Sequence, residues 1–232
     1  MDLLLSEENY KKAKALLLPL SSSNKNEERY SQHLGMNIGQ WYVEINGSLR
    51  TGLLTKVDRE VDATQDSVFL GGNVRSWDNN GTLVFLPAPT EDVFLVFTHF
   101  IKHFYKEGMS LRQICDWCRL LYTYADSLNR GMLESWIKRA GLMKEWQAFA
   151  ALAVEFLGMP DEAIPFYDAR NKKDEIRGKK LIDFILAGNT GNRMKNILRI
   201  AKIFHWKVLR YSPSIFLNLN WLKVKERVIG RN

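Results

Sequence analysis

The hydrophobic period of the chain changes at Pro87-Ala88-Pro89, and that change limits the folds open to it. Downstream, apolar residues recur at helical spacing in successive runs, and glycines at 108, 141, 158 and 188 close four of them. A glycine just past a helical run is where the chain can enter the left-handed region that ends a helix. Thr90, followed by Glu91 and Asp92, predicts a helix start, with the helix running to about Lys106. Ser110 and Gln113 have capping-box spacing for the next helix. RMKNILRIAKIFHWKVLR is the last periodic run.

Upstream, the signals are mixed. Leu3–Leu5 read as the end of a buried strand, and Ser6 as the cap of a helix over EENYKKAKALL, acidic at its start and basic later. From Arg29 to Leu86 the runs QWYVEINGSL, SVFLGG, NVRSW and TLVFL read as strands, with Asn80-Gly81 at the tip of a hairpin. The expected class is α+β: a mixed sheet with helices over 1–88, followed by an all-helical domain with a basic tail over 89–232.

Composition narrows the options. At 46% hydrophobic and 25% charged residues the chain is ordinary for a globular protein, and no run approaches the ~18 apolar residues of a membrane span. The opening MDLLLSEENYKK carries only three leucines before an acidic pair, so it does not read as a secretion signal. Cys115 and Cys118 fall within a helix-periodic run and have no second ligand pair, which favours reduced thiols in a cytoplasmic protein. The net charge of +7 is concentrated at one end: residues 190–232 hold ten Lys or Arg against one acid, Glu226. A basic amphipathic helix of that kind can meet an anionic membrane or an acidic partner, or pack as a terminal helix with a solvated basic face. No nucleic-acid recognition module is apparent.

In FTHFIKHFYKEGMSLRQICDW, His99 and His103 stand one helical turn apart beside an apolar stripe, and Arg112 and Asp116 repeat that spacing on the next helix. The histidines could bind metal with Asp116, although Phe100 occupies the position where zinc proteases carry a glutamate. They could equally be interfacial side chains, and Arg112 and Asp116 a surface ion pair.

The block THFIKHFYKEGMSLRQICDWCRLL resembles the hallmark of an uncharacterised bacterial nucleotidyltransferase family related to the polymerase-β type. DLLLSEENYKKAKALL is similar to that family's strand with an Asp-x-Asp pair and its following helix, and WYVEING to its later acidic strand. The resemblance implies a partial nucleotidyltransferase-like sheet and metal-dependent transfer of a nucleotidyl group from an NTP to an unknown acceptor. It places catalytic, metal-holding acids at Asp2 and Glu44, with Mg2+ or Mn2+ as cofactor, and His99, His103, Arg112 and Asp116 near nucleotide or acceptor. It also implies a Gly-Ser turn and a first acid before Asp2, where the sequence has only Met1, and the family's frequent histidine two positions after the third acid is here Asn46. On that basis the chain as it stands is expected to be impaired or inactive; its opening segment and thiols lead us to expect a cytoplasmic protein, and its basic tail one that is peripheral at the inner membrane face. The same residues leave two alternatives: a non-enzymatic interaction protein acting through its basic tail, and a hydrolase built on His99, His103 and Asp116.

Overall fold

The computed structural model describes residues 2–27, 30, 32–106, 108–188 and 193–204. The chain forms two compact units, Met1–His99 and Phe100–Asn232.

In the first unit, strand β1 (Asp2–Leu4) leads through Ser6 into helix α1 (Glu7–Leu17). The Ser6 side chain accepts the Asn9 amide at 3.3 Å, and Lys11 and Lys12 pair with Glu7 and Glu8 one turn back. A short β2 (Ser23–Asn24), then β3 (His33–Ile38) and β4 (Trp41–Asn46), complete a sheet of order β1-β4-β3-β2. β4 is parallel to β1 and antiparallel to β3. Strand side chains alternate between faces: Leu34, Met36, Val43 and Ile45 form the core face, packed with Leu3 and with Tyr10, Ala13 and Leu17 of α1. The other face receives Asp2, His33, Gly35, Tyr42, Glu44 and Asn46.

The expectation of strands throughout Arg29–Leu86 fails at one place. Residues Thr55–Phe69 are a helix, α2, and SVFL is its C-terminal end. Val57, Val61, Thr64 and Val68 are all buried, and their spacing of four, three and four is helical. Burial of one helical face therefore outweighs the local β-preference of its branched residues. The loop before α2 is fastened by Asp58. Its Oδ1 accepts the Thr51 amide and hydroxyl, each at 2.7 Å, and the Gly52 amide at 3.1 Å, and its Oδ2 accepts Tyr30 Oη at 2.7 Å. Strands β5 (Val74–Asn79) and β6 (Thr82–Pro87) form the expected hairpin, with Asn80 and Gly81 both at positive φ, as a two-residue turn matched to strand twist requires. Arg75 pairs at 2.5 Å with Asp92 in the first turn of α3 (Pro89–Lys106), whose residues through His99 belong to this unit.

The second unit contains the rest of α3, then α4 (Leu111–Tyr124), α5 (Arg130–Ala140), α6 (Met143–Leu157), α7 (Lys172–Leu186) and α8 (Arg193–Phe204). The capping box at Ser110 and Gln113 is present, and Gly141 and Gly158 end α5 and α6 at φ near +70°. Its core is a chain of edge-on aromatics running from Trp146 through Trp117, Phe100 and Phe149 to Phe104. Gly178 of α7 faces α6 so closely that a Cβ there would lie 2.8 Å from the Leu152 amide nitrogen. No described helix is long and apolar enough to cross a membrane.

Candidate functional site

Asp2 and Glu44 are 42 positions apart in sequence, yet they are directly paired in the parallel register of β1 and β4. Paired residues point to one face, so the two carboxylates stand side by side on the sheet face opposite α1. Neighbouring side chains orient both. Tyr42 Oη donates to Glu44 Oε1 at 2.9 Å, and Asn46 Nδ2 donates to Asp2 Oδ1 at 2.5 Å. Asn46 turns its carbonyl oxygen to His33 Nδ1, 2.9 Å away. A carboxylate only accepts, so the Asn46 amide must face Asp2 and its oxygen His33, which makes His33 Nδ1 the protonated nitrogen. His33 Nε2 is then directed at Glu44 Oε1, 3.7 Å distant. Gly35, paired with Glu44 from β3, gives the Tyr42 phenol room to cross the strand, because a Cβ there would collide with Tyr42 Oη.

Asp2 remains open to solvent as a residue, but its carboxyl has lost part of its hydration to these neighbours. That desolvation, and then the charge of Glu44, push its pKa above the ordinary 3.8, with His33 and the Asn46 hydrogen bond pulling the other way. Two adjoining carboxylates, with the proton affinity of Asp2 raised, are hard oxygen donors that a divalent cation would suit. Mg2+ is commonly held by one or two carboxylates, with substrate phosphates and water completing the shell, so this pair fits such an ion. Among the described residues no group of three or more His, Cys, Asp or Glu is gathered to hold a metal. His99, His103 and Asp116 accordingly do not assemble into a metal centre.

His99 and His103 lie half-buried one turn apart on α3, and Arg112 and Asp116 are exposed one turn apart on α4 with no ion pair between them. Sequence reading placed Tyr42 and Asn46 on the face of Glu44 but missed His33. The available signal was Leu34, Met36 and Ile38, whose alternation puts His33 on the opposite, polar face. Of the basic stretch 190–232, α8 directs Ile197, Ile200, Ile203 and Phe204 inward, and Arg199 donates to the Phe184 and Gly188 carbonyls at 2.8 and 2.9 Å while lying over the Phe184 ring. The rest of that stretch, including Trp206 and Trp221, lies outside the described residues.

These features define an α+β protein with paired carboxylates on one face of a mixed sheet. Residues 1–158 match the family described as uncharacterised nucleotidyltransferase, and the chain belongs to that family. The match runs from β1 to the glycine that ends α6. No curated protein and no solved structure matches the chain.

Proposed function

We propose that the Asp2–Glu44 face is a metal-dependent nucleotidyl-transfer site, with Mg2+ or Mn2+ held between the two carboxylates. The observation that carries this reading is their direct register across β1 and β4, in a chain belonging to a nucleotidyltransferase family. In the reaction an acceptor oxygen attacks the α-phosphorus of an NTP. The bond from that phosphorus to the bridging oxygen breaks, pyrophosphate leaves, and the acceptor's proton passes to solvent. The bound cation would supply positive charge against the phosphate oxygens as charge builds there. Tyr42 orients Glu44 and Asn46 orients Asp2, the two residues that would hold the cation, in the way outer-shell hydrogen bonds fix metal ligands. Electrostatic positioning of this kind is the main contribution a protein makes to phosphoryl chemistry.

Arg112 and Asp116 on α4, and His99 and His103 on α3, are the proposed contacts for nucleotide or acceptor. Attachment of residues 190–232 to an anionic membrane would be a separate property, tested by salt-sensitive vesicle binding. The central test is a thermal-shift titration with each of the four NTPs, with and without Mg2+ or Mn2+. A metal-dependent rise in melting temperature that Glu44→Gln abolishes is the expected result. An equal rise in wild type and Glu44→Gln, or none for any nucleotide at millimolar concentration, would refute the site.

A further inference from the structure

A cleft of about 670 Å³ opens in the first unit where the ends of β1 and β4 meet the start of α1 and the outer face of α2. That volume is within the range of small-molecule sites, about 300–1,000 Å³. None of Asp2, Glu44, His33 or Asn46 lines it, so a ligand there would be held by other residues than those of the sheet face.

Most polar groups on its wall are already committed. Gln65 accepts the Leu49 amide with Oε1 at 3.1 Å and donates to the Gly47 carbonyl with Nε2 at 2.9 Å. Arg50 grips Asp62 with Nε at 2.8 Å and Nη2 at 2.7 Å, and its guanidinium lies 6.0 Å from the Tyr30 ring centre. Tyr30 is in turn anchored on the buried carboxylate of Asp58. The wall is therefore set before any ligand arrives, which lowers the ordering cost of binding.

Two kinds of group stay available. Phe69 and Leu70, at 37% and 84% exposure, offer apolar surface. Asp66 offers a carboxylate with no side-chain partner among the described residues, and Glu7, paired only with Lys11 on its own helix, stands on the lining as well. Of the described residues on the lining, three are carboxylates and one is a guanidinium; Arg50 is paired with Asp62 and Glu7 with Lys11, which leaves Asp66 as the charge without an ionic partner among them. The field in the cleft is thus negative, which opposes phosphates and carboxylates and favours a cation.

We propose that this cleft binds a small organic amine, with its ammonium on Asp66, assisted by Glu7, and its carbon skeleton against Phe69 and Leu70. Ammonium donates only and carboxylate accepts only, so the pair is complementary; the aromatic face of Phe69 adds attraction for the charge.

The test is titration calorimetry of the full chain with spermidine and with glucosamine, using glucose and inorganic phosphate as uncharged and anionic counterparts. At least one amine is expected to bind saturably, at least tenfold tighter than glucose and with an affinity that falls as salt rises. Asp66→Asn should weaken that binding tenfold or more. Asp183→Asn, which removes an exposed carboxylate on α7, should leave it unchanged. Phe69→Ala should weaken it several-fold without shifting the urea midpoint. Failure of both amines to saturate, equal binding to wild type and Asp66→Asn, equal loss in Asp183→Asn, or phosphate binding as tightly as the amines would each overturn the assignment.

Discussion

Asp58 is the test of how the loop between β4 and α2 is held. Its carboxylate is 5% exposed and receives two backbone amides, one threonine hydroxyl and one tyrosine hydroxyl. Hydrogen bonds to a charged group contribute roughly 1.5–3 kcal/mol each, and a buried donor left without an acceptor costs about 1–3 kcal/mol. Asp58→Ala strands two backbone N–H groups, of Thr51 and Gly52, while the Thr51 and Tyr30 hydroxyls can turn elsewhere. The expected cost is therefore about 3–5 kcal/mol, well below the sum of four separate bonds because the bonds share one acceptor group. Asp58→Asn keeps an oxygen for Thr51 and Gly52 and presents an amide to Tyr30, so about 1–2 kcal/mol should be lost. Tyr30→Phe removes one bond of a residue that is 59% exposed, where water takes up part of the loss, for about 1 kcal/mol. Urea unfolding followed by far-UV circular dichroism, fitted with a common m-value, orders the three variants. A cost below about 1 kcal/mol for Asp58→Ala, or Asn as damaging as Ala, would refute the argument that this carboxylate fastens the loop.

Side chains around the sheet and on α4 carry three further expectations. The Asp2 carboxyl has a folded pKa above its ordinary 3.8. Between those two values the folded state holds more protons than the unfolded one, so the contribution of Asp2 to stability is full below 3.8 and is lost as pH rises through the folded value. Asp2→Asn, which can still accept from Asn46, should remove that loss: the variant should be at least as stable as wild type at about pH 7 in metal-free buffer, with a flatter stability profile above about pH 4. A less stable variant with a parallel profile would contradict it. Gly35→Ala should push the Tyr42 phenol off Glu44 for about 1 kcal/mol, the worth of one hydrogen bond, because the displaced group is the far end of a side chain already 38% exposed. Loss of folding would instead show that the ring has nowhere to go. Cys115 is exposed, whereas Cys118 is buried and its thiol is pushed up to about 12, first by burial and then by Cys115. A thiol reagent at about pH 8 should modify one cysteine quickly and the second only at the rate of unfolding; two equal fast phases would contradict the packing of α4.

Locally encoded parts of the fold are legible in the sequence. Ser6, the Ser110 and Gln113 pair, Asn80-Gly81 and the glycines closing α5 and α6 act on residues within a turn of themselves, and each works as its chemistry dictates. α2 reads wrongly as strand because its buried positions are β-branched, so their composition suggests strand while their spacing is helical. The site divides the same way. Alternation along WYVEIN puts Glu44, Tyr42 and Asn46 on one face, which local periodicity can reveal. That Asp2 lies directly beside Glu44, and that His33 closes the group from β3, depends on strand order and register. Those are fixed by the packing of Leu34, Met36, Val43 and Ile45 under α1 and cannot be read from any one segment.

The partners of those two acids set them apart from four other carboxylates of the chain, although Asp58 and Asp66 also lack a cationic partner among the described residues. Glu27, Asp62, Asp92 and Asp174 are each matched with a lysine or arginine, at 2.5–2.7 Å. Asp2 and Glu44 have no such partner among the described residues; they are oriented by a phenol, an amide and an imidazole. Phenol and amide fix geometry without cancelling charge, and the imidazole does so only when protonated. A pair serving stability alone would gain from an adjacent cation of the kind this chain supplies elsewhere. Here the desolvation and mutual repulsion that raise the Asp2 pKa are left in place, and the negative charge stays available to a cation arriving from solution. The electrostatic cost of keeping two carboxylates side by side is the physical reason to read this face as a binding site.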